Sequence, residues 1–138
     1  MAKRIARPIH IAVAWLLVVG LLVQVFLAGM GVFDTLTMFT THRDFGYTLT
    51  LLPVVLIVTS LVGGFGRMET VAAAVMFGQF ILQSVLVLQR DSIPAIAALH
   101  PVNGFLILLI AVWLARDATR RWQVPSAAEA APAESAPS

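Results

Sequence analysis

The sequence predicts an all-α, polytopic membrane protein: a four-helix up-down-up-down transmembrane bundle with a pseudo-repeat of two helical hairpins. Three observations lead there. Hydrophobic residues make up 59% of the chain and charged residues only 12%, about half of the ~25% with which a soluble domain covers its surface. The charges gather in short clusters and leave four long apolar runs, at about 9–33, 45–65, 68–89 and 93–115. Each run reaches the ~20 residues that a helix needs to cross a hydrocarbon layer about 30 Å thick. In lipid the backbone must pair its own polar groups, which makes each run helical.

Taken in order, residues 1–8 form a basic N-terminus carrying Lys3, Arg4 and Arg7. The run that follows exceeds the ~7–15-residue apolar core of a secretory signal, so it reads as a retained helix. A polar stretch at about 34–44 separates it from the second run, where Pro53 should kink the helix and free backbone groups. "GGFGRME" (63–69) then reads as a tight turn whose glycines permit positive φ. Before the fourth run, Ser92 is a candidate N-cap with Pro94 in the first turn. Pro101 should bend that helix beside His100. The transmembrane domain thus covers 9–122, and residues 123–138, ending in "VPSAAEAAPAESAPS", lack the apolar residues for a core and read as a disordered tail.

Charge sets the topology. Lys3, Arg4, Arg7, Arg67, Arg116, Arg120 and Arg121 fall on one side of the predicted bundle, Arg43 and Arg90 on the other. The positive-inside rule then puts both termini in the cytoplasm. The basicity orients the chain in its bilayer and gives no reason to expect a nucleic-acid partner. Trp15, Trp113 and Trp122 lie toward the same inner ends, where an aromatic belt would sit. Without cysteine there are no disulfides, thiolate metal sites or cysteine nucleophiles.

The two hairpins share a pattern. Gln24 is followed eighteen residues later by His42 and then by Gly46; Gln83 is followed seventeen residues later by His100 and then by Gly104. The topology places both histidines on the outer side, on helices that are diagonal neighbours, and cofactor sites in bundles are built between facing helices. Two neutral imidazoles approaching from opposite sides are the axial pair of a b-type haem. Gly46 and Gly104, one turn after each histidine, would leave flat space for a macrocycle. Arg43 and Arg90 could pair with its propionates, and Asn103, Tyr47 and Thr48 could orient the imidazoles.

Blander readings compete. His10, at the inner end of the first helix, reads as an interfacial histidine without a ligand. Asn103 and Gln83 could simply hydrogen-bond between helices, and the glycines could only let helices approach. Zinc would need further ligands, and only the loop residues Asp34, Asp44 and Asp91 offer themselves; copper would have Met38 alone. Ion transport would ask for ionisable groups at mid-membrane depth, where Gln24, Gln79 and Gln83 cannot titrate. No buried carboxylate is expected.

The strings "QVFLAGMGVF", "THRDFGYTLTLL" and "IPAIAALHPVNGFLILL" resemble one four-helix half of the haem A synthase family. They also resemble an uncharacterised family of small bacterial four-helix membrane proteins. The resemblance covers about 24–114. It implies a bacterial inner-membrane protein with His42 and His100 as axial ligands of haem b and Arg43 as the arginine after the ligand. Phe39 stands where the synthase's catalytic half has an acidic residue, the outer cysteine pair is missing, and only one half is present, all of which speak against haem A synthesis. The expected role is electron transfer or haem handling, with a membrane redox partner or a second copy of the chain beside the lipid bilayer. The contrasting expectation is a cofactor-free accessory subunit of a larger membrane complex.

Overall fold

The computed structural model describes residues 1–123, and within them the chain is helical apart from short connections. Six helices are seen: α1 (Ala2–Phe33), α2 (Met38–Leu49), α3 (Leu51–Gly63), α4 (Arg67–Leu88), α5 (Pro94–Ala97) and α6 (Leu99–Gln123). Because α2 with α3, and α5 with α6, make continuous rods, the chain has four spans long and apolar enough to cross a membrane. The four-helix architecture read from the sequence is therefore present, and the protein is a multi-pass membrane protein. The expected disordered tail lies outside the described residues except for Gln123, which ends α6.

The boundaries differ from the sequence reading at both ends of the apolar runs. Helix α1 starts at Ala2 and absorbs the basic N-terminus; α2 starts at Met38, so His42 lies inside a helix rather than ahead of one. Helix α6 continues past Ala115 to Gln123, with Arg121 bonded to Asp117 one turn back and Arg120 and Arg121 in the last turn. Hydropathy marks where hydrocarbon ends. The backbone can stay helical beyond that point, and cations at a C-terminus favour it by opposing the helix dipole.

Both predicted proline effects appear, each displaced toward the N-terminus. Helix α2 gives way to α3 at Thr50, three residues before Pro53, and α5 gives way to α6 at Ala98, three residues before Pro101. A proline ring clashes with the carbonyl four residues earlier and supplies it no N–H, so the irregularity falls in the preceding turn. The Thr50 hydroxyl donates to Gly46 O at 3.1 Å, a carbonyl that also accepts Thr50 N–H. In the turn between α3 and α4, Gly64 caps α3 with φ 67° and Gly66 has φ 104°. Phe65 N–H donates back to Ser60 O at 3.1 Å, closing the helix end.

Helix α1 packs against α2, α3 and α6, and α4 packs against α3 and α6. The spans thus form a ring in which the first and third, and the second and fourth, are diagonal. Leu17, Leu56, Met76, Ile107 and Leu114 fill the axis, and Ala14, Ala73, Ala111 and Ala115 are fully buried small residues that let the helices close on it. The remaining Leu, Val, Ile and Phe side chains are largely exposed, as a surface facing lipid requires.

Two expectations about this end of the bundle are overturned. His10 is not an interfacial side chain: it is completely buried, and so is Glu69, a carboxylate the sequence reading did not expect inside. His10 Nε2 lies 3.1 Å from Glu69 Oε1, Nδ1 lies 2.8 Å from Thr59 Oγ1, and the Phe65 ring stacks at 4.3 Å. The Thr59 hydroxyl hydrogen is committed to the Val55 and Leu56 carbonyls. Thr59 therefore accepts from His10 Nδ1–H, and one proton lies between Nε2 and the carboxyl group. The contact joins α1, α3 and α4 where α1 and α4 are diagonal and have no backbone approach of their own. Removing one member strands the other in a dry interior, a loss of about 3–5 kcal/mol. Glu69→Ala is expected to lower the unfolding free energy in detergent by about 3 kcal/mol, and His10→Leu with Glu69→Leu to recover most of it. A double variant as unstable as the sum of the singles would remove the pairing from this account.

Candidate functional site

His42 is on the second turn of α2 and His100 is the second residue of α6, both at the end of the bundle opposite the basic termini. The placement of each follows from local sequence. The short connection 34–37 starts α2 early enough to put His42 on the same helix face as Phe45 and Leu49, which turn into the core. Pro94 starts α5, and Ala98 N–H donates to Pro94 O at 2.9 Å, a tight turn that delivers His100 at the head of α6.

Helices α2 and α6 are diagonal: no Cα of one comes within 8 Å of a Cα of the other. The two imidazoles nevertheless meet across that gap, with ring centroids 6.1 Å apart and planes inclined at 64°. The expectation that both rings face one gap is thus matched by their positions. Each ring is half-buried.

Each imidazole is held by its own hairpin partner. His42 Nδ1 lies 3.0 Å from Gln24 O on α1, and His100 Nδ1 lies 3.2 Å from Gln83 O on α4. A backbone carbonyl can only accept, so in both rings Nδ1 carries the hydrogen and donates it. When neutral, both rings are then the Nδ1–H tautomer, with a bare lone pair on Nε2. Neither Nε2 has a hydrogen-bond partner among the described residues. Two imidazoles this close, both acceptors at the free nitrogen, have no proton to share with one another.

The repeat seen in the sequence is now physical. In each hairpin the glutamine donates no side chain to the histidine; its main-chain carbonyl does the work, and its carboxamide lies against the glycine one turn on. A Cβ at Gly46 would stand 2.5 Å from Gln24 Nε2, and one at Gly104 would stand 3.4 Å from Gln83 Nε2. The space beside these glycines therefore admits a glutamine side chain, where the sequence reading reserved it for a macrocycle. Sequence reasoning noted Gln24 and Gln83 as repeat markers but missed their carbonyls as the groups that orient the rings. The near-constant glutamine-to-histidine spacing was the available signal.

The two halves differ at the position three residues after the histidine. Asn103 is buried and donates to Gln79 O at 2.9 Å and to Gln83 Oε1 at 2.7 Å, tying α6 to α4 directly above His100. Its counterpart is Phe45, which packs into the core, and Gln24 Oε1 is left buried without a partner. Tyr47 is exposed, and the Thr48 hydroxyl donates to Asp44 O in its own helix. Neither orients an imidazole. Arg43 and Arg90 are exposed, and each holds the aspartate that follows it, at 2.9 Å and 3.4 Å. Exposed pairs of this kind contribute little and open readily to another anion. Phe39 lays its ring over Gly31, where an added Cβ would be 2.8 Å away. Among the described residues no three His, Asp or Glu gather into a metal cluster.

The unequal clearance at the two glycines is testable. Gly104→Ala needs only a small adjustment of Gln83, whereas Gly46→Ala must displace the Gln24 carboxamide. Thermal unfolding in detergent should show Gly46→Ala about 1 kcal/mol less stable than Gly104→Ala. Equal stability would mean that the two glutamine–glycine contacts are not the close approach described.

Residues 24–90, just under half of the chain, match the model of a family of unknown function, DUF6220. The matched stretch holds Gln24, His42 and Gln83 but ends before His100. No curated protein and no solved structure matches the chain.

Proposed function

We propose that this multi-pass membrane protein holds one haem b between His42 and His100, near the membrane face opposite its basic termini, and serves in electron transfer or haem handling. The observation that carries the reading is the ring pair itself. A metal bonded at ~2.0 Å to a nitrogen of each ring, with each nitrogen ~1.1 Å from its ring centre, separates two opposed imidazole centres by ~6.2 Å. The rings stand 6.1 Å apart. A direct edge contact between aromatic rings falls in the same range, but with both Nδ1–H groups donated to carbonyls neither ring has an N–H left to offer the other. The donor set therefore fits an axial pair.

Such a haem supplies a one-electron couple. The chain's own contributions are ligation and orientation. Nδ1–H donation to Gln24 O and Gln83 O fixes both tautomers and raises the basicity of the ligating nitrogens. Asn103 locks α6 against α4 beside one ligand. Arg43 and Arg90 sit at the same end of the bundle, each on an exposed aspartate that a propionate could replace. The likeness of the two histidine strings to the haem A synthase half supports the same ligands. The preponderance of Lys and Arg at the other end supports cytoplasmic termini in a bacterial plasma membrane.

The test is optical. Purified protein, reconstituted with haem b, should show a Soret band that sharpens on reduction. His42→Ala and His100→Ala should each abolish the six-coordinate spectrum, while His10→Leu with Glu69→Leu should retain it. An unchanged spectrum in either single variant would remove that histidine from the site, and no band in the parent protein would leave a cofactor-free bundle.

A further inference from the structure

The opposite end of the bundle has its own site. There the start of α1, the α3–α4 turn and the end of α6 enclose two clefts that share Arg7 and Trp122. One, of about 160 Å³, is lined by Arg7, Gly64, Phe65, Arg121 and Trp122. The other, of about 310 Å³, is lined by Lys3, Arg4, Arg7 and Trp122. We propose that these clefts bind the phosphodiester head of an anionic phospholipid, with Lys3, Arg4 and Arg7 as its cationic partners and Trp122 against its glycerol and upper acyl chains.

Charge points to an anion. Among the described residues, Lys3, Arg4 and Arg7 make no ion pair. The acidic groups described at this end are already engaged: Asp117 holds Arg121 and Glu69 is buried against His10. One of the basic side chains is built into place rather than merely solvated. Arg7 Nε donates to Gly63 O at 3.0 Å, which fixes the guanidinium and leaves its terminal N–H groups to the clefts. The Arg7 and Lys3 side chains lie against this turn, 3.5 Å and 3.7 Å from where a Cβ would stand at Gly63 and Gly64.

The apolar part of the lining favours a lipid over a free ion. Phe65 is buried and stacks on His10, making a firm floor, and Trp122 is a half-exposed wall shared by both clefts. Indole rings favour the headgroup level, where one edge is wet and the other greasy. Basic pockets between transmembrane helices at that level suit phosphate headgroups, and each added cation contributes about fivefold in affinity.

The full chain, delipidated in detergent, would be offered dioleoylphosphatidylglycerol or dioleoylphosphatidylcholine and its adducts weighed by native mass spectrometry. Retention of the glycerol lipid over the choline lipid is expected, together with a roughly 25-fold weaker adduct for Lys3→Gln with Arg4→Gln. That variant leaves the Arg7 bond to Gly63 intact, so folding is kept. Arg67→Gln and Arg116→Gln, at the same end but outside the clefts, should bind as the parent does. Equal retention of the two lipids, displacement of the lipid by inorganic phosphate, or equal weakening by the control variants would each overturn the site in favour of a diffuse basic rim or a simple anion.

Discussion

A backbone inside hydrocarbon finds no water to satisfy its N–H and C=O groups, so it must satisfy them along its own helix, and the rest of this structure depends on that demand. It makes four rods of the four apolar runs and leaves side chains as the only means of joining rods that are not adjacent. The two diagonal pairs are joined in this way, at opposite ends. His10 and Glu69 link the first span to the third, and the His42 and His100 rings approach each other from the second span and the fourth. Among the described residues the same demand is relaxed at Thr50 and Ala98, where prolines one turn on remove an internal bond, and early in α1, where Pro8 has no N–H to offer Arg4 O.

The two diagonal contacts differ in chemistry. His10 and Glu69 share a proton, with Thr59 and Phe65 closing around them, and the contact is complete in itself. His42 and His100 share nothing. Each is tied through Nδ1 to a carbonyl of the neighbouring helix and turns an unsatisfied acceptor toward its surroundings. A closed pair suits a structural tie, while an open pair of acceptors suits the ligand proposed between them. The duplicated Gln-His-Gly unit supplies both halves of the open pair, and the Asn103–Phe45 difference makes the His100 half the more firmly held.

Charge is distributed to match. The end with the histidine pair carries Arg43 and Arg90, each beside an aspartate, so its net field is small. The opposite end carries the other cations, with Lys3, Arg4, Arg7 and Arg121 lining its two clefts. One chain thus presents a nearly neutral rim beside the proposed cofactor and a cationic rim toward anionic lipid.

Much of this was legible before any coordinates. Run length and charge placement gave the four spans, glycine and proline gave the inner turn and the two breaks, and the spacing of Gln24, His42, Gln83 and His100 gave the repeat. These are local properties, set by backbone sterics and by the cost of charge in hydrocarbon, and they act on each segment alone. The facing of helices is not local. Whether His10 points to lipid or to Glu69, whether Gly46 hosts a ring or a glutamine, and which carbonyl fixes each imidazole all depend on the rotation of one rod against another. Only packing the four spans around Leu17, Leu56 and Ile107 decided those rotations, because a rod that is apolar on every side carries too little pattern to choose its own buried face.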